Sequence, residues 1–354
     1  MNKRNIFLSM SMLLLVACSD VNFTSIDSSV KPLCVQSPSA QSSDECVKMR
    51  LVNQSFSPPV GAQAVDILFV VDNSGSMKAQ LLELGNRFPN FISSLAGLNW
   101  QICVTTTDVR ADKQDGKLLS FSNGEKWINT QTTNAESKFL ELLANMPTNG
   151  SGDERGILAI NRALDRDEGC FRSGAALSTV VLSDEDERST GGHDQASSQY
   201  RVLEPRDYAS SVFETLSAKM WTQKVYSHHS IVIAPNDSQC LASQAAEGSA
   251  SWYGTHYAEL TKRTEGILGN ICASDYGQQL SFIGQNIQDT IASVPLECDP
   301  YTASGLPIVM AEAAILKILP ATTSKATLAG NKINFSPALA PGTTVTLKYY
   351  CPML

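Results

Sequence analysis

Residues 66–77 read Asp-Ile-Leu-Phe-Val-Val-Asp-Asn-Ser-Gly-Ser-Met. From Ile67 to Val71 every side chain is apolar, and Val65 extends the run, so neither face of the segment is polar. Residues 64–72 therefore predict a strand buried on both faces, as in a parallel sheet covered by helices. The run ends at Asp72, and Ser74 and Ser76 follow at alternate positions. One carboxylate and two hydroxyls on a tight loop at a strand's carboxyl end form a set of hard oxygen donors suited to Mg²⁺, Mn²⁺ or Ca²⁺. Gly75 is read as the residue that lets both hydroxyls converge.

Outward from this stretch, strands and helices alternate. Residues 78–98 carry Leu81, Leu84, Phe88, Phe91 and Leu95 at helical spacing, with Pro89 as an expected irregularity. Strands are predicted at 100–107, 175–182 and 225–234, and helices at 136–145, 156–165, 207–221, 257–262 and 276–294. The alternation predicts an α/β fold, with a mostly parallel central sheet and helices on both faces. In such folds ligands bind at the carboxyl ends of strands, near a switch in strand order. A second acidic candidate stands at such a place: residues 178–187 read Ser-Thr-Val-Val-Leu-Ser-Asp-Glu-Asp-Glu, with Asp184 just past the apolar run.

The two segments together resemble the von Willebrand factor type A (vWA) domain and its metal-ion-dependent adhesion site (MIDAS), over residues 63–297. The resemblance implies a Rossmann-like fold, with Ser74 and Ser76 on the metal and Asp72 and Asp184 holding it directly or through water. The family pattern also has a threonine on a loop before a helix. Here that loop, residues 148–156, reads Thr-Asn-Gly-Ser-Gly-Asp-Glu-Arg-Gly. Thr148 is too early, and Asp153 or Glu154 takes the position. A carboxylate there still ligates a hard cation but neutralises more of its charge. The expectation is a metal that attracts an incoming carboxylate less strongly than in the threonine form.

After Cys298 the texture changes. Short strands at 315–319, 326–328, 332–335 and 343–350, with turn signals at Gly330-Asn331 and Pro341-Gly342, predict a small β module over 298–354. At the other end, Lys3 and Arg4 precede an apolar run from Ile6 to Val16, too short for a permanent membrane span. Leu15-Val16-Ala17-Cys18 resembles the lipobox of bacterial lipoproteins, which implies cleavage of a 1–17 signal peptide and acylation of Cys18. Acyl chains gain about 0.8 kcal/mol per buried methylene, enough in number to hold a chain on a membrane. Residues 18–62, rich in Ser, Asp, Gln and Pro, read as a lipidated stalk without a fold of its own.

Nine cysteines do not divide into pairs. Assigning Cys18 to lipid leaves an even set in an exported protein, read as up to four disulfides. The favoured pairs are Cys34 with Cys46, Cys240 with Cys272, Cys298 with Cys351, and Cys103 with Cys170. No pair has the C-x-x-C spacing of a zinc site, and His193, His228, His229 and His256 lack zinc spacing too. One of His228 and His229 is expected to face the core. The formal charge of −8 argues against a nucleic-acid binder.

These readings predict a lipid-anchored protein of the cell envelope, at the outer membrane of a Gram-negative bacterium. It would be no enzyme: a Mg²⁺ (or Mn²⁺ or Ca²⁺) would bind an Asp or Glu carboxylate of a protein partner, for adhesion or envelope-complex assembly. Two alternatives stay open: a metal-dependent hydrolase using Asp72, Asp184 and Asp186, and a structural envelope protein with a vestigial metal site. The long acidic segment 184–205 reads equally as a functional loop or a solvated one.

Overall fold

The structure, a computed structural model, describes residues 33–36, 46–56, 64–189, 202–221, 224–246, 251–336, 339–340 and 342–353. Strands β1 (Leu33–Gln36) and β2 (Cys46–Phe56) come first, then β3 (Ala64–Val71), helix α1 (Lys78–Ser94), β4 (Asn99–Thr106), β5 (Ile128–Asn129), α2 (Ala135–Ala144), α3 (Gly156–Arg166) and β6 (Ala176–Leu182). They are followed by α4 (Ser210–Ala218), β7 (Tyr226–Val232), α5 (Ser238–Ala246), α6 (Thr255–Arg263), β8 (Leu268–Asn270), α7 (Tyr276–Ile291) and β9 (Ser293–Pro295). Strands β10 (Ile315–Leu319), β11 (Lys325–Ala329), β12 (Lys332–Ser336) and β13 (Thr344–Pro352) come last.

The main sheet has six strands in the order β5-β4-β3-β6-β7-β8. All its pairings are parallel except β5 with β4. From central β3 the chain moves to β4 on one side and later to β6 on the other, so the switch in strand order falls at the carboxyl end of β3. The doubly apolar run behaves as its pattern requires. Val65, Ile67, Phe69 and Val71 pack under α1, α2 and α7, while Leu68 and Val70 pack against α3, α4 and α6. Phe69 meets Phe88, Phe91 and Phe139 edge-on at 6.2, 5.4 and 5.2 Å, and Phe88 stacks on Phe139 at 3.7 Å. α1 runs unbroken through Pro89, which lies on its exposed side. Short β5 and β8 and helix α5, with little apolar periodicity, have no counterpart in the sequence reading.

A separate apolar core, including Val52, Val294, Ile333, Phe335, Val345, Leu347 and Tyr349, sits between two antiparallel sheets, β1-β2-β13-β10 and β11-β12-β9. Here the boundaries drawn from sequence are corrected. β2 pairs with β13 from Phe56↔Val345 to Met49↔Pro352, so residues within 18–62 are part of the β module rather than a stalk without structure. Val294 of β9 faces Ile333 of β12, so the module also draws in residues before 298. The physical reason is that β13, with Val345, Leu347, Tyr349 and Cys351 buried at alternate positions, needs a long partner, and β2 supplies one.

Three of the expected disulfides are present: Cys103–Cys170, Cys240–Cys272 and Cys298–Cys351, with Cα atoms 6.4, 5.6 and 5.8 Å apart. The first joins β4 to the segment before β6, and the last ties the end of β13 to the segment after β9. The Cys34–Cys46 pairing and Cys18 lie outside the residues whose side chains are described.

Because Phe69 is fully buried among three other rings, Phe69→Ala should lower unfolding stability by about 3–5 kcal/mol, measured by denaturant titration. A loss below about 1 kcal/mol would mean that the aromatic cluster is not the packed centre of this face.

Candidate metal centre

Three loops meet past the carboxyl ends of β3, β4 and β6. The Asp72 amide donates to Leu182 O at 2.9 Å, and the Thr107 amide donates to Val71 O at 3.2 Å, continuing both ladders by one step. Asp72, Thr107 and Ser183 consequently stand side by side. Asp72 is fully buried. Its Oδ1 accepts the Ser74 amide at 2.7 Å and its Oδ2 accepts the Ser183 hydroxyl at 2.7 Å. Ser74 Oγ lies 3.0 Å from Ser76 Oγ, so the two hydroxyls converge as expected.

The role read into Gly75 is corrected. Its φ lies outside the left-handed region, and a side chain there would meet nothing nearer than Thr148 O at 3.9 Å. The glycine that packing demands is Gly150. A Cβ at 150 would stand 2.6 Å from Asn73 Oδ1 and 2.9 Å from Asn73 O, and the Gly150 amide donates to that carbonyl at 2.9 Å. The loop before α3 is thus pressed against the loop that carries Ser74 and Ser76.

This contact brings Glu154 in. Glu154 is buried, the Thr107 hydroxyl donates to its Oε2, and its Oε1 has no hydrogen-bond partner among the described residues. Asp153 is half-buried and faces the Arg188 guanidinium, at 3.3 Å from Nη2. Of the two residues left open by sequence, Glu154 is the one inside. Asp184 is fully buried, and its charge acts on Asp72.

Burial, reinforced by the Asp184 charge, pushes the Asp72 carboxyl up to about 7. Burial, then the Asp72 charge, holds Glu154 well above the usual glutamate range. No lysine or arginine pairs with Asp72 or Glu154 among the described residues. Arg110 pairs with Asp108, Arg155 with Asp207 at 2.7 Å and Glu204 at 2.9 Å, and Arg188 with Glu204 at 2.8 Å. A divalent cation would supply the missing positive charge, and the donors fit a hard one: carboxylates, two hydroxyls and an unpartnered buried oxygen. Among the described residues no three His, Cys, Asp or Glu side chains form a metal cage by themselves, so the Ser74 and Ser76 hydroxyls would be needed.

Of the long acidic segment 184–205, Asp184, Glu185, Asp186 and Glu187 are buried rather than solvated, and residues 190–201 lie outside the described residues. Asp186 Oδ1 accepts the His256 amide in the first turn of α6 at 3.0 Å, which directs it to that helix. Thr107 and Ser183, which orient Glu154 and Asp72, were not singled out from sequence. Thr107 is the last of three consecutive threonines and Ser183 a serine without motif spacing, and only the ladder register identifies either.

No family model and no curated protein matches the chain. Among solved structures, proximal thread matrix protein 1 from the mussel byssus is 9% identical, with a TM-score of 0.38 over 68% of this chain and 50% of that one. The pilus adhesin SpaC from Lactobacillus rhamnosus GG, in an open conformation, is 12% identical, with a TM-score of 0.34 over 87% of this chain and 41% of that one. The chain thus spans half or less of the length of either, and neither similarity is close enough to transfer a property.

The histidines in β7 are structural. His228 Nδ1 lies 2.7 Å from Thr179 Oγ1, and His229 Nδ1 accepts the Ile267 amide at 3.0 Å, which needs an unprotonated nitrogen. Both are fully buried, where one was expected; His193 lies outside the described residues. Burial lowers His229 to about 3 and His228 well below its ordinary value. Between pH 6.5 and 3 the unfolded chain therefore binds protons that these folded imidazoles refuse, and their effect is to make stability fall as pH falls. Asp72 and Glu154 act in the opposite sense, so the histidine effect is read by difference. From pH 7 to 5, wild type should lose about 2 kcal/mol more than His229→Gln in denaturant titrations. Equal losses would exclude it.

Proposed function

We propose that this chain is a lipid-anchored envelope protein whose vWA-type domain binds a protein partner through a divalent cation at a MIDAS-type site. Asp72, Ser74, Ser76, Asp184 and Glu154 would hold the cation, Mg²⁺ by preference, with Mn²⁺ or Ca²⁺ as substitutes. Bound there, it would supply the positive charge on which an Asp or Glu of the partner closes. The observation that carries this reading is Asp72: buried at the switch in strand order, without a cationic partner among the described residues, and raised to about 7 beside two converging hydroxyls. The fold is in keeping with it, as a six-stranded, mostly parallel sheet with helices on both faces.

Where the vWA pattern has threonine, Glu154 brings a charge. It would neutralise part of the cation and weaken its pull on the incoming carboxylate. The anchor rests on the sequence from Lys3 to Cys18, and no helix among the described residues is long and apolar enough to cross a membrane. Adhesion, or assembly of an envelope complex at the outer membrane of a Gram-negative bacterium, is the role these features fit.

Metal and partner are tested separately. At about 100 times its Kd, Mg²⁺ should stabilise the wild type by about 2.7 kcal/mol in thermal melts and leave Asp72→Asn unchanged. In EDTA, Asp72→Asn should melt no lower than wild type, because it removes a buried charge facing Asp184. A wild-type melt indifferent to Mg²⁺, Mn²⁺ and Ca²⁺ would sink the metal reading. Affinity purification from membranes with and without EDTA should release the partner in EDTA only, and Cys18→Ala should free the chain from the membrane fraction.

A further inference from the structure

Glu187, from the loop that follows β6, is fully buried and divides its carboxylate between two amides of another segment. Its Oε2 accepts the Ile157 amide at 2.7 Å and its Oε1 the Leu158 amide at 3.1 Å, both in the first turn of α3. Those amides have no acceptor within their own helix, and α3 has no side-chain cap from its N-cap residue Arg155. Three more bonds join the same two segments on the site side of this cap. The Arg188 amide donates to the Glu154 carbonyl, the Glu154 amide reaches Ser189 Oγ at 3.5 Å, and Ser189 Oγ donates to Gly152 O at 3.3 Å. Arg188 and Ser189 hold φ values of 53° and 52°, a left-handed backbone that non-glycine residues adopt only where their surroundings impose it.

Resting on the metal reading above, we propose that Glu187 is a positioning residue for the cation. By capping α3 from the loop of Asp184, it fixes the separation of Asp184 and Glu154, so that two of the acidic donors arrive as one preset pair. Without the cap the first turn of α3 frays, Glu154 moves relative to Asp184, and the cation must reassemble its own site. Nothing in this role requires Glu187 to touch the metal. An ion that demands near-ideal octahedral geometry, Mg²⁺, should feel the loss more than Ca²⁺, which tolerates varied coordination.

The test measures Mg²⁺ and Ca²⁺ affinity by calorimetry on the full chain, for wild type, Glu187→Gln and Asn161→Ala. Asn161 is a buried α3 residue that bonds Ser211 and Arg206 on the side of α4, so its loss weakens α3 without unfastening the two loops. Glu187→Gln should weaken Mg²⁺ about 10- to 100-fold, the usual cost of losing a residue that orients ligands, and Ca²⁺ by less. Asn161→Ala should keep both affinities within about twofold, even where its melting temperature in EDTA falls as far. If Glu187→Gln does not melt cooperatively, Glu187→Asp, which keeps the carboxyl group and is too short to reach both amides, takes its place with the same expectation. Unchanged Mg²⁺ affinity in the Glu187 variant, or equal weakening in the Asn161 variant, overturns the positioning role. A wild type that binds neither ion overturns the metal reading itself, and this inference with it.

Discussion

The bond from the Asp72 amide to the Leu182 carbonyl is the step on which the site depends. Parallel strands end on the same side, so when β3 and β6 pair in register as far as Val71↔Leu182, the next residues of both chains arrive together. With β4 in register on the other flank, Asp72, Ser183 and Thr107 become neighbours although they lie far apart in the chain. Slip either pairing by one residue and every side chain changes face, so the apolar run and the donor set are lost together. The same apolar residues that bury the sheet thus fix where the carboxylate stands.

That placement has an electrostatic consequence. The helices on both faces exclude water from the end of β3, and a carboxylate there must take a proton, find a cation or lean on amides and hydroxyls. Asp72 has the last of these from Ser74 and Ser183, and Glu154 has the Thr107 hydroxyl. α1 begins just past Ser76 and α3 just past Glu154, so partial positive charge from two helix starts faces the cluster. These contributions do not offset burial, since both groups still bind protons above their ordinary range. A divalent cation bound among these groups would offset that burial.

Much of this was legible in the sequence, for local reasons. Ile67 to Val71 and the run before Ser183 announce buried strands because periodicity is local, and Asp72, Ser74 and Ser76 sit within one turn of chain. Counting cysteines announced disulfides, but which pairs form is settled by the fold, in which three of the favoured pairs stand within bonding reach. What escaped were features that depend on distant partners. β2 reads as part of a polar leader because the strand it pairs with, β13, begins almost 300 residues later. Glu187 reads as one more charge in an acidic run, and nothing in its neighbours tells that it caps a helix starting about thirty residues earlier. Glu154 and Asp153 are adjacent and chemically alike. Contacts from distant segments separate them: Arg188 draws Asp153 outward, and the Thr107 hydroxyl meets Glu154 inside.

The β module has a place in the same logic. β3 enters the main sheet from the end opposite its Asp72 loop, and α7, which starts beside the carboxyl ends of the strands, runs back toward that entrance. Gln288 near the end of α7 donates to Ser94 O at 2.7 Å and Ala96 O at 3.0 Å, just ahead of the start of β4. β9 continues from there, and the Phe335 amide of β12 donates to Ala292 O at 3.1 Å, so the module is seated at the amino end of the sheet. β1 and β2 belong to that module, and β1 holds the described residues nearest in sequence to Cys18. A chain held at Cys18 would therefore be tethered through the end of the sheet farthest from Asp72.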